Sequence, residues 1–200
     1  MFIYRQAGGR GDDMQLLICL MGYQCSGIKN IENYLITEYG LEKYKSFTTR
    51  KRYPKEDPQA YHFVNHDSLL KSEKDFIAIR NIENKLYGKL IDDLPENISV
   101  CIVDYLGYRD LSKHIETLPI FVERPLCDRF DVCEYRGITN KEDFLFRDKL
   151  DSYQFDLVHE DEDVSRITFG DFSDTLIAID DIIFPYIKNI ELSNKKKKTP

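Results

Sequence analysis

No apolar run in this 200-residue sequence is long enough to cross a bilayer, and its N-terminus lacks the pattern of a signal peptide. The expectation is a cytoplasmic protein without a membrane partner. Cysteine is sparse: Cys19, Cys25, Cys101, Cys127 and Cys133 are odd in number and never form C-x-x-C. Structural zinc is therefore not indicated, and reduced thiols in a reducing compartment are expected. The four histidines (His62, His66, His114 and His159) share no metal-ligand spacing, and no Cys–His pair marks a nucleophile. Positive charge is also short. The 28 basic residues face 35 acidic ones, and four of the basic residues form the run Lys195–Lys198. Such an acidic body argues against nucleic acid as a partner of the folded part. No internal repeat is present.

What is there suits a single domain with a sizeable core. A polar, glycine-rich leader over 1–13, which contains Arg10-Gly11-Asp12, is expected to be flexible. The end of the chain, 191–200, reads as a basic, disordered tail. Between them, apolar runs alternate with amphipathic stretches. Strands are expected over 15–21, 44–49, 61–65, 76–80, 98–104, 119–123 and 156–159. Helices are expected over 27–38, 67–73, 88–94, 106–116, 125–136, 141–153 and 173–189. Ile28, Ile31 and Leu35 repeat at helical spacing, whereas Ile98–Val103 and Ile120–Val122 are continuous runs suited to parallel strands covered on both faces. The pattern predicts an α/β fold with a parallel sheet. Residues 46–66 break the rhythm with basic, aromatic and proline residues, as a functional loop on a small lobe would.

Residues 22–30, G-Y-Q-C-S-G-I-K-N, join the first strand to the first helix. Gly22 and Gly27 have the spacing of a phosphate-binding loop, G-x-x-x-x-G-K-[S/T]. Glycines give such a loop its shape, because backbone N–H groups must close on an anion at a helix N-terminus. The lysine and hydroxyl give it chemistry, on the outer phosphates and on magnesium. Here Ile28 follows Gly27, Lys29 arrives one place late, and Asn30 stands where a hydroxyl would help hold the metal. Successive helical residues point about 100° apart, so Lys29 does not simply replace the missing lysine.

Further along, T-T-R at 48–50, K-E at 55–56 and Y-H-F-V at 61–64 precede F-I-A-I-R-N-I-E-N-K-L-Y-G at 76–88. C-I-V-D at 101–104 and Y-R-G-I-T-N-K-E-D-F-L-F-R at 135–147 follow. In this order, over about residues 15–190, the motifs resemble those of guanylate kinases. The resemblance implies a three-layer α/β/α P-loop kinase fold over 14–190. It would have a parallel core sheet, a small monophosphate-binding lobe near 46–94 and a lid near 130–147. It implies ATP and Mg2+ as cofactors and a nucleoside monophosphate, GMP or dGMP, as acceptor. Gly22, Gly27 and Asn30 fall in the donor loop, with Lys29, Arg136 and Arg147 as the candidate catalytic cations. Arg50, Tyr61 and Tyr87 match acceptor-phosphate ligands, Ser46 a position near the base, and Asp104 a position near magnesium.

The sequence departs from this family at Ile28 and Lys29. Tyr53 stands in place of a second phosphate arginine, Ala78 in place of a base-reading glutamate, and Tyr105-Leu106 in place of a second aspartate. Val132 stands in place of a lid arginine. Removing one preorganised charge from a transition state costs about 10²–10³ in rate. The resemblance therefore implies either a nucleotide kinase of reduced activity or an inactive module, a pseudokinase, that keeps the phosphate cradle.

Overall fold

The computed structural model describes residues 15–53, 56–71, 75–82, 84–135, 137 and 140–197. The leader over 1–13 and Arg136 therefore lie outside the described residues.

The continuous apolar run of β1 (Leu16–Met21) is buried at every position, as a central parallel strand requires. It pairs in parallel with β7 (Ile98–Ile102) on one side and β8 (Thr117–Glu123) on the other. Two short edge strands, β2 (Glu42–Lys43) and β9 (Ser165–Thr168), complete a five-stranded sheet in the order β2-β7-β1-β8-β9. All its pairings are parallel.

Alternation along β1 splits the core into two layers. Leu16, Ile18 and Leu20 pack toward Ile31 and Leu35 of α1 (Ile28–Tyr39) and toward Ile179 and Ile183 of α6 (Phe172–Lys197). Leu17, Cys19 and Met21 face Tyr108 and Leu111 of α3 (Tyr105–Leu111) and Phe155, the last residue of α5 (Lys141–Phe155). Helices thus cover both faces, giving the expected three-layer α/β/α arrangement.

A second sheet stands apart, in the order β4 (His62–Phe63), β3 (Phe47–Thr48), β6 (Lys85–Leu90), β5 (Phe76–Ile82). The short α2 (His66–Lys71) follows β4, and α4 (Leu126–Tyr135) follows β8. The β5–β6 ladder carries a register irregularity between Ile77 and Arg80, and Ala78 within it has φ +53°.

Two expectations are corrected. The helix read over 88–94 is the end of β6 followed by a 3₁₀ turn over 91–93, because Leu90 and Lys89 are held in the ladder opposite Phe76 and Ile77. The strand read over 156–159 is a 3₁₀ segment continuing from α5, with Val158 buried beneath it. The outer strand is instead the largely polar β9, which runs parallel to β8.

Candidate functional site

The turn after β1 carries the phosphate-loop candidate at the carboxyl edge of the parallel sheet, where open α/β sheets place their ligands. Gly27 caps α1 with φ +97°, and a Cβ there would lie 2.6 Å from the Phe169 ring. A Cβ on Gly22 would meet Ser26 Oγ at 2.6 Å and the Val122 carbonyl at 2.8 Å. Both positions therefore exclude a side chain. Ser26 is 1% exposed, and its hydroxyl has no hydrogen-bond partner among the described residues. An unpartnered buried hydroxyl inside a glycine-shaped loop fits an anionic ligand better than an empty apolar turn.

The loop opens onto a cavity of about 750 Å³ lined by Gly22–Lys29, Tyr53 and part of α5, including Phe146, Arg147 and Asp151. Lys29 borders this cavity, but its ammonium is bonded to Glu32, one turn further along α1. Glu32 is 1% exposed and also holds Lys43 at 3.2 Å. Burial is the largest single influence and opposes the Lys29 charge, but the bond to Glu32, the contact with Lys43 and the Glu32 charge together outweigh it and raise the Lys29 pKa. For Lys43, burial and then the neighbouring Lys29 lower the pKa. Ile28 borders the cavity without contributing charge, and Asn30 is exposed and lines neither cavity.

A second cavity, of about 600 Å³, lies between the lobe sheet and the core. Ser46, Tyr61, Tyr87 and Asp104 line it, together with Ala78, Arg80 and Lys89. Arg50 lies at the Tyr61–Tyr87 end. Its guanidinium sits 5.4 Å from the Tyr61 ring centre, and the Tyr61 and Tyr87 rings are 6.2 Å apart. Arg50 is buried, and its fork grips Glu56 with bonds of 2.9 and 2.6 Å. That grip raises the Arg50 pKa and lowers that of Glu56. The Glu56 carboxylate occupies the guanidinium as a phosphate would, in bidentate fashion. Burial raises the Tyr61 pKa and keeps its hydroxyl a donor at neutral pH.

The two cavities share Gly22, Arg147 and Asp151. Arg147 Nε donates to both Asp151 oxygens, at 3.2 and 3.3 Å. Burial raises the Asp151 pKa despite that arginine. Asp104 caps α3 by accepting from the Gly107 N–H at 2.7 Å and pairs with Arg80 at 3.3 Å. Among the described residues, no group of three His, Cys, Asp or Glu side chains is arranged to hold a metal ion. The donor set thus fits a phosphate at the loop but supplies no cage for Mg2+.

Three features of the site escape sequence reasoning. Arg129 on α4 is buried; it bonds Asp148, donates at 3.4 Å to the Gln24 carbonyl of the loop and lies 4.6 Å from the Tyr23 ring. One turn along the same helix face, Cys133 forms a disulfide with Cys25 of the loop. The expectation that all thiols are reduced is thereby corrected for this pair, because folding brings together two cysteines 108 residues apart. Cys19, Cys101 and Cys127 are free. The third feature is Arg80, which reaches both Asp104 and Asp110 from β5. The only available signal was the i, i+4 spacing of Arg129 and Cys133.

No family model and no curated protein sequence matches the chain. Among solved structures it is similar to the guanylate kinase from Anaplasma phagocytophilum, with a TM-score of 0.62 over 88% of this chain and 87% of that one. The two sequences are 17% identical. With a glycine-shaped loop at the edge of a parallel sheet, a separate lobe sheet and helices on both faces, the chain has a guanylate kinase-like α/β fold.

Proposed function

We propose that this protein is a guanylate kinase-like nucleotide kinase that transfers a phosphoryl group from ATP to a nucleoside monophosphate. The observation that carries this reading is the junction of the two cavities at Gly22, Arg147 and Asp151. The glycine loop, with its unpartnered Ser26 hydroxyl, would take the donor phosphates. Arg50, Tyr61 and Tyr87 would take the acceptor phosphate. An acceptor oxygen would attack the terminal phosphorus, forming the new P–O bond as the bond to the bridging oxygen of ADP breaks. Such transfer depends on positioning and on neutralising equatorial charge, and needs no covalent nucleophile. Arg147, between the cavities, is suited to that neutralisation once it exchanges Asp151 for phosphate oxygens. When bound, Mg2+ would neutralise the donor phosphates, held by those phosphates, by waters and by at most one or two carboxylates, of which Asp104 is the candidate.

A second reading, a phospholigand-binding module without turnover, is favoured by the loop cavity itself. Ile28 contributes no charge there, and the Lys29 ammonium is engaged by buried Glu32. The full chain incubated with ATP, Mg2+ and each ribo- and deoxyribonucleoside monophosphate in turn separates the two. The kinase reading expects diphosphate formation that disappears in Arg50→Ala. Monophosphate binding with no product from any acceptor would establish the module instead.

A further inference from the structure

The glycine-shaped turn after β1 holds one residue in a glycine's conformation that is not glycine. Cys25 has φ +64°, in the left-handed region, and lines the loop cavity between Gln24 and Ser26. Such a residue costs free energy and keeps this conformation only where its surroundings over-determine it. The Ser26 N–H closes the turn by donating to the Tyr23 carbonyl at 3.1 Å. Two fasteners on α4 hold it from outside. Arg129, bonded to Asp148 of α5, donates to the Gln24 carbonyl at 3.4 Å, and Cys133 is bonded to Cys25 itself.

The two sulfurs of this bond differ in access. Cys133 is 0% exposed, whereas Cys25 is half-buried and borders the 750 Å³ cavity. A thiolate arriving through the cavity therefore meets Cys25 first, in the space that a phosphate would occupy. Cys19 and Cys101 make the contrast. They are register partners on β1 and β7, both fully buried, and both free.

We infer that the Cys25–Cys133 bond is a redox-modification site, opened by a dithiol through the loop cavity, and that it sets the affinity of that cavity for a phosphate anion. One thiolate of the dithiol attacks the Cys25 sulfur, forming a mixed disulfide and expelling the Cys133 thiolate, which takes up a proton. The second thiolate attacks the reagent's own sulfur in that mixed disulfide. This closes the reagent into a cyclic disulfide and releases Cys25, which is protonated in turn. Two electrons pass from the dithiol to the protein. With the bond open, Cys25 can leave φ +64°, and the loop N–H groups lose the arrangement that favours an anion. Affinity then falls with the fraction of chains that keep the competent loop. Linkage makes the effect reciprocal, so a bound anion protects the bond from reduction. The inference rests on the reading of the glycine loop as the donor-phosphate site and adds its control.

Pyrophosphate is the probe, because it carries phosphates without a base. Calorimetry on the full chain before and after dithiol treatment should show binding about tenfold weaker in the reduced form. Cys133→Ser should match the reduced chain. Cys25→Gly also lacks the bond but meets no Cβ penalty at φ +64°, and should match the oxidised chain. Alkylation followed by mass spectrometry would track opening of the bond in the unaltered chain, with exposed Cys127 as the reference thiol. Saturating pyrophosphate should slow opening several-fold and leave Cys127 labelling unchanged. Equal affinity in both redox forms, Cys25→Gly binding as weakly as the reduced chain, or an opening rate indifferent to pyrophosphate would each overturn the inference. Should either variant fail to fold, the two measurements on the unaltered chain still decide. Failure of pyrophosphate to bind in either redox form would overturn the donor-site reading itself, and this inference with it.

Discussion

The two cavities of this site combine shape and charge in opposite ways. Around the lobe-side cavity, charge is abundant: Arg80 and Lys89 come from strands, Arg147 from a long helix and Arg50 from the bend after β3, and all are held by specific partners. Around the loop cavity, shape is provided and charge is withheld. Gly22 and Gly27 admit no Cβ, yet Ile28 is apolar and Lys29 is bound to Glu32. The loop cavity is also fastened from outside, where Arg129 and Cys133 of α4 reach Gln24 and Cys25. The shape of a glycine loop and the cation beside it are therefore separable properties. Backbone geometry can keep the first while the second is redirected into a structural ion pair.

The fastening is the largest effect to break. Replacing Cys133 with Ser should cost up to about 4–5 kcal/mol, the chain-entropy value for a closed loop of this length. Denaturant unfolding with and without reductant would check it, and reductant should produce the same loss in the unaltered chain. Supplying the missing charge would test whether shape alone limits the loop cavity. Ile28→Lys, with Lys29 kept so that Glu32 retains its partner, should raise phosphotransfer by about 10²-fold in a steady-state assay. An unchanged rate would place the defect elsewhere.

Removing shape rather than charge should act more moderately. Gly27→Ala forces a side chain into φ +97° and against Phe169, and should lower stability by about 2–3 kcal/mol in thermal or chemical melts. On the acceptor side, Glu56→Gln should increase monophosphate affinity several-fold, because a phosphate no longer displaces a full charge from Arg50. Titration calorimetry would read this directly.

The pH dependence of the Arg50–Glu56 pair is the smallest expected effect, and its sign follows from the depressed Glu56 pKa. A lowered folded-state pKa means that the contribution to stability is fully present above the unfolded value near 4.5. It fades as pH falls through the folded one. Unfolding midpoints measured from pH 6 downward should therefore hold until about pH 4.5 and then decline. Glu56→Gln should flatten this part of the curve.

Legibility in the sequence followed the same division. The apolar run of β1, the glycine spacing and the periodicity of α1 are local signals, and the parallel sheet and its loop were read directly from them. Residues 88–94 misled because Leu90, Ile91 and Leu94 have helical spacing, although pairing with β5 decides their conformation. Residues 156–159 misled because two adjacent apolar residues, Leu157 and Val158, show no periodicity to separate a strand from a turn. At the candidate site, Arg50, Tyr61, Tyr87 and Arg147 were found through motif order. Lys89, Arg129 and the Cys25–Cys133 pair had no such signal, since a lysine in a strand or a cysteine in a helix looks the same whether buried or exposed.

The sequence by itself determined the α/β alternation, the glycine-shaped turn after β1 and the absence of lysine after Gly27, because each depends on residue type and near-neighbour spacing. Tertiary structure alone decided where the remaining charges went. It bonded Lys29 to Glu32, placed Glu56 in the fork of Arg50, left Lys89 buried among neutral partners, and joined the loop to α4 through residues 108 apart. The physical reason is that a side chain's charge is set by its chemistry, whereas its partner is set by distances between elements that only packing fixes.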